Sequence, residues 1–173
     1  MILSDRDIIL TLRKSGDGLR IIPFPDESDI QPCSVDLHLG DKLRTLDGKS
    51  IDILFDTYKL KPHEFLLGST KEYVEIPNNL CGQVEGKSSI ARLGVTCHQT
   101  AGYIDAGYNG NITLELFNAS NKPFELESGM PICQLVFHML SSECVRPYGT
   151  DGLGSHYQGS EGVVESRWEY GNR

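Results

Sequence analysis

Two stretches of the chain carry side chains able to hold a phosphorylated ligand and move protons on it. Gly86-Lys87-Ser88-Ser89-Ile90-Ala91-Arg92 offers backbone N–H groups, two hydroxyls and two cations, a set suited to anionic oxygens. It is not a P-loop, because Gly82 and Gly86 are separated by three residues where that motif needs four, and no parallel β-α-β pattern surrounds them. The second stretch, Thr100-Ala101-Gly102-Tyr103-Ile104-Asp105-Ala106-Gly107-Tyr108-Asn109-Gly110, leads into Asn111-Ile112-Thr113-Leu114-Glu115-Leu116. There Ile112, Leu114 and Leu116 alternate with Thr113 and Glu115, so the carboxylate points away from the aliphatic face of a strand. Taken alone, Glu115 reads as a solvated residue on an outer sheet face. It does not stand alone: Asp105 and the hydroxyl-bearing loop lie close in sequence.

The elements that must position these groups are mostly strands. Ser4 with Asp7 three residues on forms a helix start, and Ile8, Ile9 and Leu12 supply one apolar face up to about Arg13. Pro23, Pro25 and Pro32 then favour extended backbone. Strand-like runs follow at 42–46, 64–67, 73–76, 81–85, 94–98, 111–117 and 132–139, separated by turn signals such as Asp47-Gly48, Pro77-Asn78-Asn79 and Ser128-Gly129. Many short strands with regular turns predict a β-sandwich, jelly roll or distorted barrel. The 173 residues fit one domain, 1–173. Its last part, 150–173, alternates glycine with polar residues and reads as a flexible tail, one that orders over a ligand or does nothing.

A net charge of −8 argues against a general nucleic-acid binder, while leaving room for a small phosphorylated ligand met by a few local cations and a divalent metal. The cysteines at 33, 81, 97, 133 and 144 are odd in number and form no C-x-x-C pair, so neither a disulfide framework nor a zinc ribbon is indicated. His38, His63, His98, His138 and His156 are scattered and read as structural or surface residues. No run is long and apolar enough for a membrane helix, and the N-terminus lacks a signal peptide's basic and apolar regions, so a cytoplasmic protein is expected.

In residue type, order and spacing, the segments 86–94, 100–110 and 112–115 resemble the dCTP deaminase family, a relative of the dUTPases. Gln31-Pro32-Cys33-Ser34-Val35-Asp36-Leu37, Gly129-Met130-Pro131-Ile132-Cys133-Gln134-Leu135 and Arg146-Pro147-Tyr148 extend the resemblance over nearly the whole chain. It implies a mainly β, dUTPase-like distorted jelly roll or barrel with a short N-terminal helix, assembled as a homotrimer with sites shared between subunits. It also implies roles. Glu115 is the general base and acid of hydrolytic dCTP deamination, Ser88 and the Ala101 carbonyl hold the attacking water, and Arg92 positions Glu115 and the substrate. A carboxylate so placed supplies roughly 10²–10⁴-fold by proton transfer. Lys87, Ser89, Ile90, Ala91, Thr113, Leu114, Gln134, Tyr148, His156, Tyr157 and Ser160 are implied as further nucleotide contacts. Zinc is not implied, because the sequence lacks the His or Cys with Glu two residues on, followed by Pro-Cys-x-x-Cys, that zinc deaminases need.

Members of the family that only deaminate carry a bulky His-Arg pair after the alanine matching Ala101, whereas bifunctional members carry Gly and an aromatic. Gly102-Tyr103 therefore implies that dUTP is cleaved on to dUMP and pyrophosphate. In that step Asp105 contacts the sugar and orients a water, and Mg²⁺ is held mainly by the phosphates and water, with no protein cage. dTTP is implied as a candidate feedback inhibitor. The tail departs from the family pattern, since His156-Tyr157-Gln158-Gly159-Ser160 stands where Lys-Tyr and a later glutamine are usual. The alternatives are a deaminase that releases dUTP, a dUTPase that does not deaminate, a silent nucleotide sensor on the same fold, and a purely structural jelly roll.

Overall fold

The computed structural model describes residues 1–168 apart from residues 15 and 17. Helix α1 (Asp5–Leu12) starts as expected: the Ser4 hydroxyl accepts from the Asp7 N–H at 3.4 Å and donates to its carboxylate at 3.1 Å. Ile8 and Leu12 turn inward from it. Among the described residues after it, the helical stretches are a 3-10 turn at Glu27–Asp29 and the single helical turn α2 (Ser88–Ala91), and the rest is strand, turn and irregular chain.

The strands are β1 (Arg20–Ile22), β2 (Ile30–Gln31), β3 (Ser34–His38), β4 (Lys42–Arg44), β5 (Ser50–Asp52), β6 (Thr57–Leu60) and β7 (Phe65–Glu75). They continue with β8 (Leu80–Gly86), β9 (Val95–Thr96), β10 (Tyr103–Ile104), β11 (Asn109–Asn118), β12 (Phe124–Glu127) and β13 (Pro131–Met139). Among the described residues they form three antiparallel sheets. The first runs β5-β4-β7-β11-β9 with β1 added on β7, the second runs β10-β8-β13-β3-β2, and β12 pairs with β6 in the third. The mainly β class with a short N-terminal helix expected from the sequence is the one observed. Leu37, Leu39, Leu66, Leu114, Leu116, Leu135 and Phe137 fill the core.

Two differences from the sequence reading have physical causes. The runs expected at 64–67 and 73–76 are one strand, β7, which Gly68 does not interrupt. A Cβ at Gly68 would lie 3.1 Å from both Leu116 Cδ1 and Leu39 Cδ1, so this glycine makes room for the core. The segment 86–92 folds into α2, with Lys87 at its N-cap and the Arg92 N–H donating to the Ser88 carbonyl at 3.1 Å. Four helical residues are too few for any periodicity to announce them.

Candidate active site

Strand β11 alternates strictly: Gly110, Ile112, Leu114, Leu116 and Asn118 are buried, and Asn109, Asn111, Thr113, Glu115 and Phe117 face the other way. Its register on β7 sets Glu115 opposite Leu67 and Phe117 opposite Phe65. On that face lies a cavity of about 830 Å³, lined by Phe65 and Leu67 and by Thr113 and Glu115. Ala101, Tyr103, Asp105 and Tyr108 form another wall, and Thr45–Gly48 of the β4–β5 hairpin a third. The bland reading of Glu115 as a solvated outer-face residue therefore fails. One carboxylate oxygen accepts from the Gln99 backbone N–H at 2.8 Å, while the Glu115 N–H donates to the Cys97 carbonyl at 3.0 Å.

The turn that carries Asp105 requires glycine at two places. Gly107 (φ 87°) leaves only 2.5 Å between a would-be Cβ and Pro147 Cβ. Gly110 (φ 148°) leaves 2.8 Å to the Tyr108 hydroxyl and 2.9 Å to the Ser160 nitrogen. This close approach packs Tyr108 edge-on against Tyr148, ring centroids 5.7 Å apart. Burial pushes the Tyr108 phenol up to about 12, so it remains a neutral donor, to the Asn111 carbonyl at 2.8 Å. Asp105 itself is exposed, and among the described residues its carboxylate has no hydrogen-bond partner.

The segment expected to be a flexible tail lies along the same face of β11. The Gly159 N–H donates to the Asn109 carbonyl at 2.9 Å, the Asn111 N–H to the Ser160 carbonyl at 2.8 Å, and Gly110 and Ser160 form a parallel bridge. Further on, the Gly162 N–H donates to Asn111 Oδ1 at 3.0 Å and the Val164 N–H to Thr113 Oγ1 at 3.2 Å. Ser160 is buried, and Tyr157, Ser160, Val164, Glu165 and Ser166 complete the cavity wall. His156 is exposed and outside that lining, its carbonyl accepting from Arg167 at 2.5 Å. Residues 169–173 of the expected tail lie outside the described residues.

The structure thus gathers Ala101, Asp105, Thr113, Glu115, Tyr148, Tyr157 and Ser160 at one cavity, and leaves the other expected contacts elsewhere on the same chain. Leu114 points into the core and is fully buried, so only its backbone faces a ligand. Lys87 is ion-paired with the buried carboxylate of Asp36. Gln134 accepts from Ser34 Oγ at 2.8 Å and donates to the Gly86 carbonyl at 3.2 Å. Ser88, Ser89, Ala91 and Arg92 are exposed on α2, and Ile90 packs against the core. Among the described residues the Arg92 guanidinium makes no ion pair. Among the described residues, the cavity lining holds four carboxylates, Asp47, Asp105, Glu115 and Glu165, and no lysine or arginine. The Thr45 hydroxyl holds the Asp47 carboxyl below its usual range. Sequence reasoning missed Gln99, Phe65, Leu67 and the whole 45–48 wall; the Asp47-Gly48 turn was visible, but not what it faces.

A family model described as dCTP deaminase-like matches residues 2–140. The chain belongs to the dCTP deaminase-like family. A "dCTP deaminase, dUMP-forming" of Rhodococcus opacus (strain B4) is 42% identical to this family member over 184 residues, covering 96% of each chain. One of the same description from Mycobacterium ulcerans (strain Agy99) is also 42% identical, over 96% of this chain and 95% of its own. Among solved structures, the 2'-deoxycytidine 5'-triphosphate deaminase from Agrobacterium tumefaciens aligns with a TM-score of 0.67 at 25% identity, over 80% of this chain and 47% of that one. The dUTPase of Staphylococcus bacteriophage 80alpha shares the fold, with a TM-score of 0.54 at 17% identity over 76% of this chain and 96% of its own. Among the described residues of this dCTP deaminase-like chain, no helix is long and apolar enough to cross a membrane. At the position that separates the two kinds of family member, a Cβ on Gly102 would lie 2.7 Å from the Val84 carbonyl oxygen and 3.1 Å from His98 Cε1. This backbone has no room for a larger residue there.

Proposed function

We propose that the chain deaminates dCTP hydrolytically and cleaves the resulting dUTP to dUMP and pyrophosphate, as a homotrimer whose sites join parts of two subunits. The observation that carries the reading is the Glu115 carboxylate, fixed by the Gln99 N–H on the wall of a nucleotide-sized cavity that Asp105 also lines. The names of the relatives from Rhodococcus opacus and Mycobacterium ulcerans support the same pair of activities.

In this reading Glu115 takes a proton from a water that attacks the amine-bearing ring carbon, then returns protons to the ring nitrogen and to the departing ammonia. Ala101 lines the same cavity as Glu115, and its carbonyl orients that water in this reading. A tetra-anionic substrate does not settle among four carboxylates unaided, so cations must reach the cavity from outside its lining. The exposed Ser88–Arg92 turn of a neighbouring subunit supplies the water-holding hydroxyl and one such cation. Mg²⁺ enters with the triphosphate as part of the substrate, its remaining ligands being water. Asp105 then orients a second water onto the α-phosphorus, and pyrophosphate leaves. Tyr148, Tyr157 and Ser160 contact the nucleotide from the tail side. The reaction supplies dUMP in the cytoplasm, and dTTP, the end product it serves, is a candidate inhibitor of the same cavity.

The test is incubation with dCTP and Mg²⁺, with and without dTTP, followed by anion-exchange separation. Stoichiometric dUMP, ammonia and pyrophosphate are expected. Accumulation of dUTP limits the chain to deamination, and absence of ammonia rejects the reading.

A further inference from the structure

Of the four carboxylates at the cavity, Glu165 has a cationic partner. Arg44 Nε donates to Glu165 Oε1 at 2.6 Å, the two side chains being 34% and 49% exposed. The contact joins two elements far apart in sequence. Arg44 is the last residue of β4 and leads into the Thr45–Gly48 turn, whereas Glu165 lies in the tail. The turn and the tail are in contact here, since a Cβ on Gly48 would sit at van der Waals distance, 3.4 Å, from Glu165 Oε1. Both segments line the cavity, on walls that meet at this pair. N-terminal to Glu165 the tail is fastened to β11 through Asn109, Asn111 and Thr113, and to the turn before it through Gln158 Nε2, which donates to the Gly107 carbonyl at 2.8 Å. Those bonds hold one edge of the segment, and the ion pair with Arg44 holds the other.

We propose that Arg44 and Glu165 are positioning residues for the reaction: their ion pair fastens the tail to the β4–β5 turn and so keeps the roof of the Glu115 cavity in place. The proposal rests on the reading that this cavity takes the nucleotide. Neither residue handles the reacting atoms. Pairing also neutralises a carboxylate that would otherwise face incoming phosphates. Because the pair is half exposed, its strength is modest and falls with ionic strength.

The chain carries its own reporter, since Trp168 is its one tryptophan and stands three residues beyond Glu165, 72% exposed. Arg44→Gln, Glu165→Gln and the exchanged pair Arg44→Glu with Glu165→Arg are compared with the wild-type chain in dCTP kinetics and in acrylamide quenching and anisotropy of Trp168. Each single variant is expected to raise KM about two- to five-fold, leaving kcat near wild type, and to make Trp168 more quenchable. The exchanged pair restores both. Added salt should loosen Trp168 in the wild type and leave it unchanged in Glu165→Gln, a comparison that does not depend on the exchanged pair folding. Unchanged KM and quenching in both single variants, or a salt response equal in wild type and Glu165→Gln, overturns the proposal. A wild-type chain inert toward dCTP defeats the reading of the cavity instead, and the Trp168 measurements then judge the fastening by themselves.

Discussion

At the scale of single residues, the proposed reaction divides its work between Glu115 and Asp105, and each is separable by a near-isosteric change. Glu115→Gln keeps an oxygen for the Gln99 N–H to meet but removes the base. Ammonia release should fall roughly 10²–10⁴-fold, while dCTP still raises the thermal unfolding midpoint, as any ligand of the folded state must. Asp105→Asn should spare deamination better than pyrophosphate release, so that dUTP accumulates on the anion-exchange column. Both side chains were nominated through the family resemblance: the alternation of Ile112, Leu114 and Leu116 told only which way Glu115 points and, alone, read it as a solvated outer-face residue, and the glycine-flanked turn told only that Asp105 could approach a ligand closely. Gln99 was not, because a backbone N–H donor leaves no mark on residue type. Arg92 was legible as a cation, yet its distance from Glu115's cavity within one chain was not, since spacing along a chain says nothing about which copy of the chain a residue serves.

At the scale of elements, the Asp105 turn is held open by Gly107 and Gly110, and strain there has a direct readout. Alanine at either position meets both a positive φ and a steric wall, and should cost about 1–3 kcal/mol of stability. Denaturant midpoints of Gly107→Ala and Gly110→Ala check this, with the loss expected together with a rise in KM because Asp105 and Tyr108 move with the turn. The long strands β11 and β13 were readable from apolar alternation. β3 was not: Ser34 and Asp36, polar by type, are buried because Gln134 and Lys87 satisfy them, and a hydrophobic pattern cannot show a buried polar pair made between strands far apart in sequence. The two-residue strands β2, β9 and β10 exist through their partners, not through any propensity of their own.

At the scale of the whole molecule, a cavity whose described lining holds no cation, and an exposed Ser88–Arg92 turn outside that lining whose arginine makes no ion pair among the described residues, predict that two inactive chains repair each other. Mixing Glu115→Gln with Ser88→Ala subunits, after unfolding and refolding together, should return activity at roughly a quarter of the sites, since each interface draws one half from each of two random subunits. Activity absent from the mixture would place each site within one subunit. Alkaline pH tests the assembled fold as well. Burial raises Tyr58, which donates to Glu64 at 2.7 Å, and Tyr108, both to about 12. A phenol so raised contributes stability that is complete below its ordinary value of 10.0 and lost as the pH rises through about 12. Unfolding midpoints should therefore fall across that window as phenolate absorbance rises, and fall less in Tyr108→Phe. One strand face, finally, serves two masters: Asn109, Asn111 and Thr113 receive the tail, and the next residue on that face is Glu115. The strand and the last part of the chain therefore cannot drift apart in evolution, and a chimera that takes its C-terminal segment from a relative should work only if it inherits that relative's strand as well.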